Sequence, residues 1–307
     1  MTLLVDNPLS IAHDMPPGHP EQVDRYKVIS AAISGLDLAR ETASAGTQSD
    51  ILLCHPQSHI DALFEARPAS GFQALDADTF LSPGTWDAAL RGVGGILRAV
   101  DAVIGGVAGN AFVLTRPPGH HAETETAMGF CLFGLAAIGA RHALERHGLS
   151  RVAVVDFDVH HGNGTQDLLW HEPRALFISS HQMPLYPGSG APGERGGSDN
   201  ILNVPLAPGS AGAEMRTRYK AAVFPRLRAW APELIILSAG FDAHIADPLA
   251  SLNWQTEDFA WLTRALCDLA DEVCDGRVVS TLEGGYDLDA LAASVVAHLT
   301  ELKERGA

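Results

Sequence analysis

Six short apolar runs bounded by polar or turn residues punctuate the chain, at 51–54, 111–114, 152–155, 175–178, 234–237 and 278–282. Runs this short and unbroken suit strands that are covered on both faces. Between them lie longer stretches in which apolar residues recur at helical spacing: 85–104, 132–147, 213–230, 256–274 and 288–303. Strands alternating with helices predict an α/β domain with a mostly parallel central sheet flanked by helices. No repeat, low-complexity tract or Pro/Ser-rich linker divides the sequence, so residues 1–307 are expected to form a single domain. The Gly/Pro-rich segments 82–85 and 185–197 read as loops, and the second is long and polar enough to be a binding loop or a mobile surface segment.

Composition narrows the class. Hydrophobic residues make up 46% and charged residues 19% of the 307, too apolar for a disordered chain. A chain of this size buries a large core without staples. Acidic side chains number 37 against 21 basic ones, a net charge of −16. That excludes a general nucleic-acid binder and leaves small cationic substrates or simple solubility. Cys54, Cys131, Cys267 and Cys274 show no CxxC spacing, which fits a reduced cytoplasm better than a disulfide framework or thiolate zinc site. No apolar run approaches the ~20 residues that span a bilayer. The start, MTLLVDNPLS, lacks the features of a signal peptide. A cytoplasmic protein without membrane or nucleic-acid partners is expected, and a homo-oligomer is left open. The unusual number is 14 histidines.

In parallel α/β sheets, ligands bind beyond the carboxyl ends of the strands. The chemistry-bearing residues fall there. VLT is followed by RPPGHHA, VAVVDF by DVHHGNG, LIILSAG by FDAH and VVSTLE by GGYDL. Asp158 and His160 are two apart, so on an extended segment both face one way and offer half of a tetrahedral zinc site. Such a pair alone is as readily a solvated loop. Asp156 has the same parity but lies deeper, where it could orient an imidazole. Asp242 could be a third ligand, although a lone aspartate after a strand more often caps a turn. Two carboxylates and one imidazole leave a fourth position open, as in catalytic zinc sites. His120 and His121 suit general acid/base work, the bland alternative being surface imidazoles. Tyr286, after two glycines, could donate to a developing oxyanion, whereas an isolated tyrosine more often simply packs. Together the four strand ends spell a mononuclear metallohydrolase.

RPPGHHA, DFDVHHGNGTQ, SAGFDAH and LEGGYDL resemble the histone deacetylase superfamily, which includes bacterial acetylpolyamine amidohydrolases and acetoin-utilisation relatives. The resemblance runs from Gly18 to Tyr286. It implies that Asp158, His160 and Asp242 hold one zinc ion, that His120, His121 and Tyr286 are catalytic, and that Asp156 hydrogen-bonds the first histidine. It places Gly129 and Phe130 at the floor and one wall of an acyl-lysine tunnel, Tyr186 at the opposite wall and Leu249 at the rim. Arg25 falls on a product-release path, and Asp156, Asp158, His160 and Ser179 surround a structural potassium ion. The implied activity is removal of an acetyl or acyl group from an acetyl-lysine peptide or a small N-acylated amine. Acetylpolyamines are the alternative substrates, and a non-catalytic acyl-lysine binder is the alternative of another class.

Three departures shape that reading. Asn163 stands where class I members carry an aspartate beside the second histidine, which points to a class II-like member. Tyr186 replaces the usual Phe. Leu249 replaces the rim glutamate of a polyamine-specific member. The arginase group, a rival on the same fold, needs second-metal carboxylates where this chain has Gly162 and His244. Among the other histidines, His13 and His19 could line the site mouth, and His181 could bond within its loop. His244 could support Asp242. His55 and His59 are expected to be ordinary support, and His142, His147, His171 and His298 surface or helix-end residues.

Overall fold

The computed structural model describes residues 1–306. Its ten strands are β1 (Thr2–Asp6), β2 (Ala39–Thr42), β3 (Gln73–Ala74), β4 (Phe80–Leu81), β5 (Asn110–Leu114), β6 (Val152–Asp156), β7 (Ala175–Gln182), β8 (Ile201–Leu206), β9 (Leu234–Ala239) and β10 (Val278–Leu282). Eight of them form one parallel sheet in the order β2-β1-β5-β10-β9-β6-β7-β8, while β3 and β4 make a separate hairpin. The expected α/β domain with helices on a parallel sheet is the one observed.

The apolar runs lack alternation because both faces are covered. In β9, Ile235, Leu237 and Ala239 enter one buried cluster and Leu234 and Ile236 the other. The helices Thr85–Ile104 and Leu135–Arg146 cover one face with Val93, Ile96, Val100 and Ile138. Thr256–Cys274 and Leu288–Arg305 cover the opposite face with Leu262, Leu266, Val295 and Leu299. The last helix is capped by Asp287, whose carboxylate accepts the Ala290 N–H at 2.9 Å. A cap of this kind contributes about 1 kcal/mol and fixes the chain immediately after Tyr286.

Two expectations fail. The run 51–54 is not a strand. Thr47 and Asp50 form a capping box, with the Thr47 N–H donating to Asp50 at 2.7 Å, and the segment Gln48–Ile51 turns into a short helix. His298 is not at the surface but fully buried between Thr263 and Ser280, whose hydroxyls lie 2.7 and 2.9 Å from its two ring nitrogens. Burial pushes its pKa down to about 3, so it serves the core as a neutral, doubly satisfied ring.

Candidate active site

The adjacent strands β5, β10, β9 and β6 deliver their following loops to one point at the carboxyl edge of the sheet. β6 runs directly into Asp156, Asp158 and His160, β9 into Asp242, β5 into His120 and His121, and β10 into Glu283 and Tyr286. Asp158, His160 and Asp242 are all buried, and one ligand atom from each lies within 4.8 Å of the others. His160 Nδ1 is 3.1 Å from Asp158 Oδ1 and 3.1 Å from Asp242 Oδ2. One imidazole proton cannot point well at both oxygens, whereas ligands on a tetrahedral zinc ion sit about 3.3 Å apart.

The surroundings hold these carboxylates in place. Asp158 Oδ2 accepts the Gly284 N–H at 2.8 Å, and Asp242 Oδ1 accepts the Val159 N–H at 2.8 Å. A Cβ at Gly284 would run into both carboxylates, so only glycine lets β10's continuation press against them. Among the described residues no lysine or arginine pairs with Asp158 or Asp242. Burial and the neighbouring Asp158 push Asp242 upward, a sign of unmatched negative charge. A divalent cation would match that charge and replace the proton on His160, so the donor set fits one metal ion.

The two adjacent histidines have different partners. His120 Nδ1 lies 3.0 Å from Asp156 Oδ2 and His121 Nδ1 2.7 Å from Asn163 Oδ1. Burial alone would lower the His120 pKa, but Asp158 and Asp156 outweigh it and hold the ring well above the ordinary histidine value. Burial, with His120 and His160 beside it, holds His121 well below that value. Asn163 donates through Nδ2 to Glu123 at 2.7 Å, which leaves its carbonyl oxygen to accept from His121. The His121 proton therefore sits on Nδ1, and Nε2 is a free acceptor.

A cavity of about 380 Å³ opens above these groups, with His121, Phe130, His160, Tyr186, Leu249 and Tyr286 in its wall. Phe130 and Tyr286 meet edge to face at 5.9 Å, and Tyr186 stands edge-on to His121 at 5.2 Å. Gly129 and Phe130 both adopt left-handed backbone, with φ of 53° and 69°. A Cβ at Gly129 would lie within 2.9 Å of three His121 side-chain atoms. For Phe130 the conformation costs about 1–2 kcal/mol. The turn is held by mutual Met128–Cys131 backbone bonds and by Phe130 N–H donating to Thr79 Oγ1 at 3.1 Å. Tyr186 is 40% exposed, and its loop is tied to His161, whose Nδ1 lies 2.8 Å from Ser189 Oγ.

Arg25 is fully buried beneath Tyr286, its guanidinium 4.9 Å from the ring centroid. It donates to Gly285 O at 2.6 Å and pairs with Glu21 at 2.9 Å. Ser179 faces Asp156 in the β6–β7 register. His19 lines the cavity, whereas His13 turns inward to Thr85 and Glu21. His244 bonds only locally, accepting from the Ala246 N–H. His181 lies between Ser179 and Gly190.

Four residues of this neighbourhood escaped sequence reasoning. Glu283 accepts the Gly119 and His120 N–H groups at 2.7 and 3.1 Å, and burial lifts it to about 7 against the pull of His120. Arg116 makes a double bond pair with Glu21, both contacts 2.6 Å, anchoring the N-terminal loop under the site. Asp247 accepts from Tyr286 N–H at 2.7 Å and Leu249 N–H at 3.0 Å, joining wall to rim. An acid closing an apolar strand was a visible signal for Glu283, as was the i,i+4 spacing of Glu21 and Arg25. Nothing local marked the partners of Arg116 or Asp247.

A family model described as the histone deacetylase domain matches residues 19–302. The chain is 42% identical over 299 residues to an uncharacterized protein of Synechocystis sp., covering 95% of this chain and 96% of that one. It is 38% identical over 277 residues to the histone deacetylase-like amidohydrolase of Pseudomonas aeruginosa, covering 88% and 73%. The chloroplastic histone deacetylase 14 of Arabidopsis thaliana is 40% identical over 262 residues, covering 81% and 62%. The crystal structure of the HDA15 HD domain superposes with a TM-score of 0.92 at 29% identity, covering 99% of this chain and 91% of that one.

Proposed function

The chain belongs to the histone deacetylase family, and from that premise we propose that it is a zinc-dependent amidohydrolase removing an acetyl or other acyl group from an N-acylated amine such as N-acetyl-lysine. The observation that carries this reading is the junction of two features. Asp158, His160 and Asp242 form one buried cluster, and its His160 lines a cavity walled by Phe130, Tyr186 and Tyr286. An unbranched alkyl stem with an N-acyl end matches that slot.

Asp158, His160 and Asp242 would hold the zinc ion, which when bound would supply Lewis-acid polarisation to the scissile carbonyl and the attacking water. His121, neutral and with Nε2 free, takes the water proton and returns it to the leaving amine. His120, kept the more basic of the two by Asp158 and Asp156, stays protonated and adds positive charge beside the reacting carbonyl. Tyr286 donates its hydroxyl to the tetrahedral oxyanion. Burial foremost holds that phenol well above its ordinary pKa, so it remains a donor throughout. Gly129 and Phe130 form the floor and one wall, Tyr186 the opposite wall, and Leu249 the rim. Arg25 steadies Tyr286 from below and borders the product path. A structural potassium ion among Asp156, Asp158, His160 and Ser179 is supported by the β6–β7 pairing that brings Ser179 to Asp156.

Asn163 sets the acid limb of the pH profile. Asn163→Asp places a carboxylate on His121 Nδ1 and favours the imidazolium, so the basic form appears only at higher pH. The lower limb of kcat/KM is expected to move up by about one unit or more. A profile measured between pH 5 and 9 checks this, and an unmoved limb removes His121 as the base.

Acetylated polyamines and other small amides are the second reading. Asp78 in the cavity wall favours it, supplying a carboxylate that Leu249 does not. A panel of acetyl-lysine peptides and acetylated polyamines, run with and without chelator, tests both. Chelator-sensitive turnover of one class identifies it. Binding of acetyl-lysine peptide without turnover of any member marks a non-catalytic binder.

A further inference from the structure

A second cluster of metal-type donors lies away from the cavity. Asp101 stands in the last turn of the helix Thr85–Ile104, His142 on the helix Leu135–Arg146, and His147 at that helix's end. The first helix leads back to the start of β5 and the second to the start of β6. The cluster therefore sits at the amino edge of the sheet, opposite the carboxyl edge that carries His121 and Tyr286. His142 Nε2 and His147 Nε2 each lie 2.7 Å from the same oxygen, Asp101 Oδ1.

We propose that Asp101, His142 and His147 form a second metal site, for an exchangeable divalent transition-metal ion such as zinc, cobalt or nickel. Two imidazole nitrogens and a carboxylate oxygen converge on one point, and the three ligand atoms all lie within 4.8 Å of one another. The donors come from two helices packed face to face, so little ordering remains when an ion binds. Tetrahedral bonds of about 2.0–2.1 Å place ligands about 3.3 Å apart, so each 2.7 Å contact opens by about 0.6 Å, a side-chain adjustment. Imidazole and carboxylate together select late first-row divalent ions over calcium or magnesium. The basic neighbour Arg98 does not compete, because it is held by Glu41 through two bonds of 2.7 and 2.8 Å. The Asp101 and His147 side chains are 45% and 26% exposed, which leaves the remaining coordination positions to water and the ion free to exchange.

Cobalt(II) binding to chelator-stripped, tag-free full-length protein tests the site, with bound ions counted after equilibrium dialysis. His142→Gln/His147→Gln keeps amide donors toward Asp101 while removing both imidazoles, and it is expected to bind one ion fewer per chain than wild type. Its melting temperature in metal-free buffer and its amide hydrolysis should match wild type, since neither residue touches the cavity. Asp101→Asn, a change at one half-exposed side chain, reads the same loss if the double variant misfolds. A cobalt stoichiometry that is the same in wild type and in both variants overturns the proposal and leaves the three residues as a plain hydrogen-bonded cluster.

Discussion

Asp158→Ala is expected to lose the buried metal ion and turnover together. The carboxylate holds the site from several sides. It lies 3.1 Å from His160 Nδ1, and it accepts the backbone N–H groups of His160 at 2.9 Å and Gly284 at 2.8 Å. Replacing an outer partner of a metal ligand typically costs about 10–100-fold in affinity or activity, and loss of a ligand itself should exceed that. The Gly284 N–H, two residues before Tyr286, also loses its acceptor. Metal analysis of purified variant and wild type, read beside turnover of an acetyl-lysine peptide, checks the coupling. A variant that keeps its metal but not its activity would move Asp158 out of the ligand set.

Tyr286→Phe separates chemistry from binding. The ring is buried against Phe130 and Arg25, and its hydroxyl is the only atom the substitution removes. Fold and metal content should therefore be preserved. Loss of one oxyanion donor typically lowers kcat by about 10²–10³, with KM little changed, because the bond is made only in the transition state. Steady-state kinetics with circular dichroism and metal analysis measure all three quantities. Near-wild-type kcat would remove Tyr286 from the oxyanion.

Much of this was readable from the chain because the important residues follow buried strands directly. β5, β6, β9 and β10 are buried on both faces, and each is succeeded at once by its motif, while β7 was legible only from the apolar run at its start. β2 and β8 were harder for physical reasons. β2 is an edge strand, ARET, with half its side chains toward solvent. β8 contains Asn203 and Pro205, which break the apolar run. β1 is an ordinary buried strand whose position at residue 2 drew attention only as a test for a leader. In the site, the donors announced themselves by their place after a strand, while the long-range pairings of several supports did not. Arg116 meets Glu21 across 95 residues, and Glu283 meets His120 across 163. His298 was misread for the same reason, since its two hydroxyl partners lie 35 and 18 residues away.

The most direct test of the account is zinc reconstitution of chelator-stripped protein, followed by turnover of an N-acetyl-lysine substrate. Activity should vanish on stripping, return as zinc is added and reach its plateau once the Asp158–His160–Asp242 site is filled by one ion per chain. Full turnover by protein shown to be free of metal would contradict it.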